Sequence, residues 1–248
     1  MNRSAHDMTA GTQLPPLRAA TGGLTFDVAA SLGVVEAAWD LVYRAYRHQE
    51  IVPPNPFLIH TVAEAIGPHT AVISGRIAGL TASTLTAIAD GPEGLPLDRA
   101  IPNFLNGLRH DGRRPMELGL HADRRKDIER SFHTLLELMR HAYWFGRQYD
   151  VTDYLYRIPT PHVSLYRHAF GFEPLTTEAA VSEPNRDEYQ VLRLDAATVT
   201  GCHAEHQVAR HIMEHPISAQ EFEKRFRFEP EDLYESRIMR FVTKTNVT

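Results

Sequence analysis

Hydrophobic spacing in this chain switches repeatedly between the period of a strand and the period of a helix, and the order of the switches leaves few folds open. Residues 24–28 read as a short strand. Val34, Val35, Ala38, Leu41, Val42 and Ala45 then recur at helical spacing, with Glu36, Asp40, Arg44 and Arg47 on the wet side. The run Val52-Pro53-Pro54-Asn55-Pro56 cannot continue a helix and predicts a loop. Residues 71–74 and 77–88 read as two antiparallel strands that turn at Gly75-Arg76. From Asp90 to Arg114, turn-forming residues surround a short apolar helix at 101–108, a long connection of the kind that carries binding surfaces. A strand at 116–121 follows, then a helix marked by Phe132, Leu135, Leu136, Met139, Ala142 and Tyr143 that ends near Gly146. A strand at 151–158, a loop and helix over 159–170, and a hairpin of 172–175 with 189–194 complete the series. Antiparallel strands joined by two crossover helices predict an α/β domain with a central mixed, mostly antiparallel sheet and helices on both faces.

This domain is expected over residues 24–200, behind a flexible leader at 1–23 that lacks periodicity. Residues 201–248 read as a helical C-terminal extension broken at Pro216 and Pro230. In that extension Phe222, Phe226, Phe228, Leu233, Ile238 and Phe241 carry apolar surface that must be buried, against the domain or in a dimer contact. With 43% hydrophobic and 23% charged residues, the 248-residue chain is too apolar to be disordered. A formal net charge of −5 argues against a general nucleic-acid binder. Cys202 is the single cysteine, so no internal disulfide forms and a reducing compartment fits. No apolar run has the length of a signal peptide or a membrane span, which makes the cytoplasm the expected location.

Four stretches, taken in order, resemble one family. They are Leu41-Val-Tyr-Arg-Ala-Tyr46 with Ile51-Val-Pro-Pro-Asn-Pro56, and Ser83-Thr-Leu-Thr86 with Asp90-Gly-Pro-Glu-Gly-Leu-Pro-Leu-Asp98. Gly112-Arg-Arg-Pro-Met-Glu-Leu118 and Pro161-His-Val-Ser-Leu-Tyr-Arg-His-Ala-Phe-Gly-Phe-Glu173 follow. Together the chain resembles the N-acyl amino acid synthases, which have an N-acetyltransferase-like fold and are related to the acyl-homoserine-lactone synthases. The resemblance implies transfer of a long acyl chain from an acyl carrier protein thioester to the amine of an amino acid. It implies no resident cofactor, the acyl-phosphopantetheine thioester being a substrate. Acyl carrier protein and an amino acid acceptor are the expected partners, and the C-terminal extension is a candidate cap for the acyl tunnel.

Amide formation from a thioester needs a deprotonated amine, a polarised carbonyl and help for the departing thiolate. Glu117, between apolar Met116 and Leu118, is the candidate general base. A carboxylate in an apolar setting has a raised pKa and can take the amine's proton, a role worth about 10²–10⁴ in rate. The alternative is a structural carboxylate paired with Arg113 or Arg114. Tyr166 precedes Gly171 by five residues, near where acetyltransferases place a tyrosine that protonates the leaving sulfur. The usual coenzyme A enzymes place it four before, and one residue turns a helical side chain by about 100°. Tyr166 is therefore also read as a core aromatic.

The stretch His121-Ala-Asp-Arg-Arg-Lys-Asp127 has no glycine, where ordinary acetyltransferases carry a Gly-rich loop that cradles the coenzyme A pyrophosphate. That departure favours a carrier-protein donor. Arg124, Arg125 and Lys126 would then meet the carrier's acidic surface, or simply form a solvated helix start. His162 is a candidate for orienting the phosphopantetheine arm or the acceptor carboxylate, or a helix cap. Arg113 and Arg114 are candidates for clamping a substrate carboxylate, and Asp98 for holding its ammonium group.

Three other activities fit parts of the sequence. A small-amine N-acetyltransferase using acetyl-coenzyme A would need the missing glycine loop. An acyl-binding or sensing domain without turnover fits Gly119-Leu120-His121, where the family's strand end is expected to be more polar and basic. His211-Ile-Met-Glu214-His215 matches the H-x-x-E-H zinc-protease helix, with His203 and His206 nearby. Pro216 ends that helix at once and it lies outside the matched stretches, so no metal is assigned.

Overall fold

The computed structural model describes residues 23–124, 132–175, 181–182, 188–202 and 205–245. Strand β1 (Thr25–Val28) leads into helix α1 (Leu32–His48), whose apolar stripe is buried through Val35, Ala38, Trp39 and Val42. Strands β2 (Thr70–Ile77) and β3 (Leu80–Ala89) form a hairpin. Helix α2 (Pro102–His110) and strand β4 (Pro115–Asp123) follow, then helix α3 (Phe132–Arg147) and strand β5 (Asp153–Pro159). Helix α4 (Val163–Phe170) precedes the short strands β6 (Glu173–Pro174) and β7 (Val181–Ser182) and the longer β8 (Glu188–Asp195). Helices α5 (Ala196–Cys202), α6 (Gln207–Glu214), α7 (Ala219–Glu223), α8 (Pro230–Leu233) and α9 (Arg237–Thr245) complete the described chain.

The strands form one sheet in the order β1-β2-β3-β4-β5-β8-β6, with β7 also pairing with β8. Neighbours are antiparallel except β4 and β5, which run parallel and are joined through α3. One face of the sheet is covered by α3, α4, α5 and α6 together with Phe222 of α7. The other is covered by α1, α2 and α9 with Leu233 of α8. Trp39 is fully buried and its indole N–H donates to Thr86 Oγ1 at 3.2 Å, which pins α1 to β3. This is the α/β architecture expected from the periodicity. The extension, however, contributes to both core faces, and the boundary expected at 200/201 falls inside α5. Among the described residues no helix is long and apolar enough to cross a membrane.

The β2–β3 turn differs from expectation. It lies at Ala78-Gly79, both with positive φ (48° and 81°), which is the two-residue geometry that matches strand twist. Gly75 instead lies within β2 at a register shift, opposite Ser83. A Cβ there would sit 2.3 Å from Ser83 Oγ and 2.9 Å from Phe26 Cε1, so the glycine is required by close approach rather than by a turn. Gly75→Ala is expected to lower unfolding free energy by about 1–3 kcal/mol through overpacking. Denaturant melts check this, and an unchanged midpoint would contradict it.

Candidate active site

The parallel pair β4/β5 is matched over only Pro115↔Asp153, Met116↔Tyr154, Glu117↔Leu155 and Leu118↔Tyr156. Beyond Leu118 the strands part, β4 continuing to Asp123 along β3 and β5 continuing to Pro159 along β8. A bulge helps to open this wedge. Between the pairs Thr86↔Gly119 and Thr84↔Ala122, β4 carries one residue more than β3, and Leu120 takes φ +47°. The bulge also swaps the faces of β4. Met116 and Leu118 point into the α3/α4 core, whereas Leu120 and Ala122 join the α1/α2 core. The diverging edges are no longer paired with each other, which suits an extended ligand with amides of its own.

Glu117 alternates with Met116 and Leu118 and so lies on the α1/α2 face, at 8% exposure. The backbone N–H of Leu97, in a 3-10 turn at Pro96–Arg99, donates to its Oε2 at 2.7 Å. Burial pushes the Glu117 carboxyl up to about 8, against the lowering effects of the Leu97 bond and the Arg157 and Arg99 charges. Arg99 is itself paired with Glu64. Arg157 comes from β5 just past the last paired residue, half-buried, with its guanidinium 5.5 Å from the centre of the Tyr189 ring. Tyr46, near the end of α1, hydrogen-bonds to the backbone of His121 and lies within electrostatic reach of Arg157, Tyr189 and Tyr166. Burial pushes the Tyr46 hydroxyl up to about 12.

Tyr166 packs edge-on against Tyr156 (ring centres 5.2 Å apart) and Phe172, inside the α3/α4 core. Its hydroxyl and that of Tyr156 hydrogen-bond to each other, and burial pushes Tyr166 up to about 12. Electrostatic coupling thus links Glu117 to Arg157, Arg157 to Tyr46, and Tyr46 to Tyr156 and Tyr166 in the opposite core, across the parting strands. Arg157 escaped the sequence reading, although a charge between Tyr156 and Ile158 is the same signal that singled out Glu117.

The other residues read from sequence are placed elsewhere. Both oxygens of Asp98 accept from Arg109 (2.6 and 2.8 Å), and Oδ2 also accepts from the Leu95 N–H. Asp98 thereby anchors the 3-10 turn that supplies the Leu97 N–H to Glu117. Arg113 lies at the closed end of the seam, bonded to both oxygens of Asp153 and to Asp195. Neither Arg113 nor Arg114 pairs with Glu117, Arg114 being exposed at the same end and bonded to Asp150. His162 is exposed at the start of α4 and its side chain makes no cap hydrogen bond. Arg124 is exposed at the end of β4, its backbone N–H donating to Ala82 O, and Arg125 and Lys126 lie outside the described residues. His211 bonds to Glu137 Oε1 at 2.9 Å and His215 Nδ1 to the His211 carbonyl. Among the described residues no group of His, Cys, Asp and Glu could hold a metal ion.

A mostly antiparallel sheet with one parallel seam that splays beside a buried carboxyl gives the chain an N-acetyltransferase-like fold. A family model described as N-acyl amino acid synthase FeeM matches residues 37–195, most of the chain, so the chain belongs to that family and is an N-acyltransferase. The solved structure of FeeM, an N-acyl amino acid synthase from uncultured soil microbes, is similar at 16% identity and TM-score 0.62, covering 76% of this chain and 97% of FeeM. The CoA-dependent acyl-homoserine lactone synthase BjaI is similar at 13% identity and TM-score 0.51, covering 77% of this chain and 89% of its own. The AHL synthase LasI follows at 11% identity and TM-score 0.50, covering 70% and 89%. No curated protein matches the chain in sequence.

A carboxyl raised to about 8 from an ordinary value of 4.5 has a defined effect on stability. Its contribution is complete below the ordinary value and is lost as pH rises through about 8, because the folded protein must then bury a charge that the unfolded chain keeps in water. Glu117→Gln, which keeps an acceptor for Leu97 and cannot ionise, is expected to gain stability relative to the parent as pH rises across that window. Thermal melts at a series of pH values check this, and a difference independent of pH would contradict it.

Proposed function

We propose that the protein joins a long-chain acyl group, delivered as an acyl carrier protein thioester, to the α-amine of an amino acid. The observation that carries this reading is the buried Glu117 carboxyl at the parting of β4 and β5, within electrostatic reach of the Arg157 guanidinium. Arg157 takes the acceptor's carboxylate, the planar match that guanidinium favours, and so places the amine near Glu117. A carboxyl near 8 is matched to an α-amine, whose ordinary pKa is about 7.7–8.0, so the proton is shared at little cost. The amine nitrogen then attacks the thioester carbonyl carbon. The C–N bond forms and the C–S bond breaks; Glu117 keeps the proton taken from the ammonium, and the second proton of the attacking nitrogen goes to the departing sulfur, which leaves as the thiol. Tyr166, with a hydroxyl near 12, holds its proton too tightly to give it to a thiolate and serves as a hydrogen-bond donor to the departing sulfur.

The carrier-protein donor is supported by the sequence after β4, which has no glycine through Asp127 and carries the basic run Arg124, Arg125 and Lys126, of which Arg124 is exposed at the end of the strand. Asp98 and Arg109 position the turn that orients Glu117, and His162 stands exposed at the start of α4, the helix that follows the open end of β5.

The test is direct. Purified protein is given long-chain acyl carrier protein or the matching acyl-coenzyme A with a mixture of amino acids, and acyl amides are read by mass spectrometry. Product from the carrier thioester is expected, with kcat/KM rising with pH through an apparent pKa near 8. Glu117→Gln is expected to lower the rate by about 10²–10⁴. Faster turnover of the coenzyme A thioester would transfer the donor role, and a pH-independent rate would remove Glu117 as base.

A further inference from the structure

The Leu97 N–H that donates to Glu117 at 2.7 Å comes from the 3-10 turn at Pro96–Arg99, and that turn has two polar anchors. One is Asp98, which accepts from Arg109 and from the Leu95 N–H. The other is Arg99, whose guanidinium donates to Glu64 Oε1 on a second 3-10 turn, Ala63–Ala65, 35 residues earlier in the chain. Leu95 and Leu97 are buried in the α1/α2 core, so the turn is bedded on apolar side chains and tied down by charged ones.

The two anchors differ in one respect. Both oxygens of Asp98 are bonded, whereas Glu64 Oε2 is buried and has no hydrogen-bond partner among the described residues. The Glu64 side chain is 12% exposed and that of Arg99 is 65% exposed, so water screens the cation better than the carboxylate. Glu117 lies within reach of both. Three charges bear on it, each from a different element: Glu64 raises its carboxyl, and Arg157 of β5 and Arg99 lower it. On the helices that cover the same face, Arg109 of α2 is bound to Asp90 and Asp98, and α1 carries the Tyr46 hydroxyl on the His121 backbone. Asp40 pairs with Arg44 along α1, and Glu36 of α1 pairs with Arg237 of α9.

We propose that Glu64, acting through Arg99, is a positioning residue for the transfer: the ion pair holds the 96–99 turn where Leu97 meets Glu117, and its half-satisfied carboxylate governs how firmly Glu117 keeps its proton. The proposal rests on the acyl-transfer reading above and gives its base a second control besides burial. The two members of the pair act on Glu117 in opposite senses. Without Glu64, a like charge is lost and the Arg99 charge is left uncovered, and both changes favour the Glu117 carboxylate. Without Arg99, a cation is lost and the Glu64 charge is left unbalanced, and both changes favour the neutral acid.

Glu64→Gln and Arg99→Gln each remove one charge and keep a hydrogen-bonding amide. In the free protein, with no donor, acceptor or turnover, Glu117 is read by the pH at which its protonated-carboxyl infrared band is lost. Each protein is compared with its own Glu117→Gln form to assign the band. The midpoint is expected to fall by about one pH unit in Glu64→Gln and to rise by about one in Arg99→Gln. The apparent pKa of kcat/KM for acyl amide formation is expected to move with it. A disturbed fold would instead admit water to Glu117 and move both midpoints the same way, towards the ordinary carboxylate value. Shifts in a shared direction, or midpoints that stay with the parent's, overturn the role given to Glu64, while acyl amide formation by the parent keeps the function standing. If the midpoints move apart but the parent makes no acyl amide from either thioester, the pair's control of Glu117 holds and the acyl-transfer reading falls.

Discussion

The site depends on a parallel seam only four residue pairs long, and that seam depends on a buried ion cluster at its closed end. Asp153, with no exposed surface, opens β5 and accepts from Arg113, Arg193 and the Thr152 hydroxyl. Burial alone would raise its carboxyl, but these three donors hold it below the ordinary value. Arg113 also reaches Asp195 at the end of β8, so one cluster ties the start of β5 to β4 and to the end of β8. With that end fixed and a bulge at Leu120 turning β4 away, the strands must diverge past Leu118.

The divergence gives the two faces of the sheet different tasks. On the α1/α2 face the opening holds Glu117, Arg157 and Tyr46, which is where proton transfer and acceptor recognition are proposed. On the α3/α4 face Leu118, one residue further along the same strand, packs among the apolar side chains of that core. Alternation along β4 is what lets adjacent residues serve polar and apolar chemistry on opposite sides. The arrangement is costly where it is used. Glu117 is buried with a hydrogen bond from the Leu97 N–H and a carboxyl near 8, which lowers stability at alkaline pH in return for a base matched to an amine.

Much of the fold was legible because hydrophobic period is a local property. Elements from β1 to β8 follow the expected order, and the mixed sheet with helices on both faces follows from it. The β2–β3 turn was not legible, since a glycine serves either a positive φ or a close approach, and only the neighbouring Ser83 and Phe26 decide which holds at Gly75. Glu117 stood out as a charge inside an apolar strand, yet its face depended on the register with β3 and β5. Asp98, Arg113 and Arg114 read as substrate ligands because partner identity is not a local property: the carboxylates that engage Arg113 lie 40 and 82 residues away in sequence. For the same reason the apolar residues after residue 200 could be flagged for burial but not placed. They pack on both faces, with Phe222 on one and Ile238 and Phe241 on the other.

The central claim is that Glu117 is held neutral in the folded protein and becomes a base near pH 8. Infrared difference spectroscopy of the parent against Glu117→Gln reads this at the carboxyl itself. A protonated-carboxyl C=O band that is present at pH 6, absent from the variant and lost with a midpoint near 8 is the predicted result. A carboxylate band from Glu117 already complete at pH 6 would show that its surroundings favour the charge, and the proposed proton transfer would have no base.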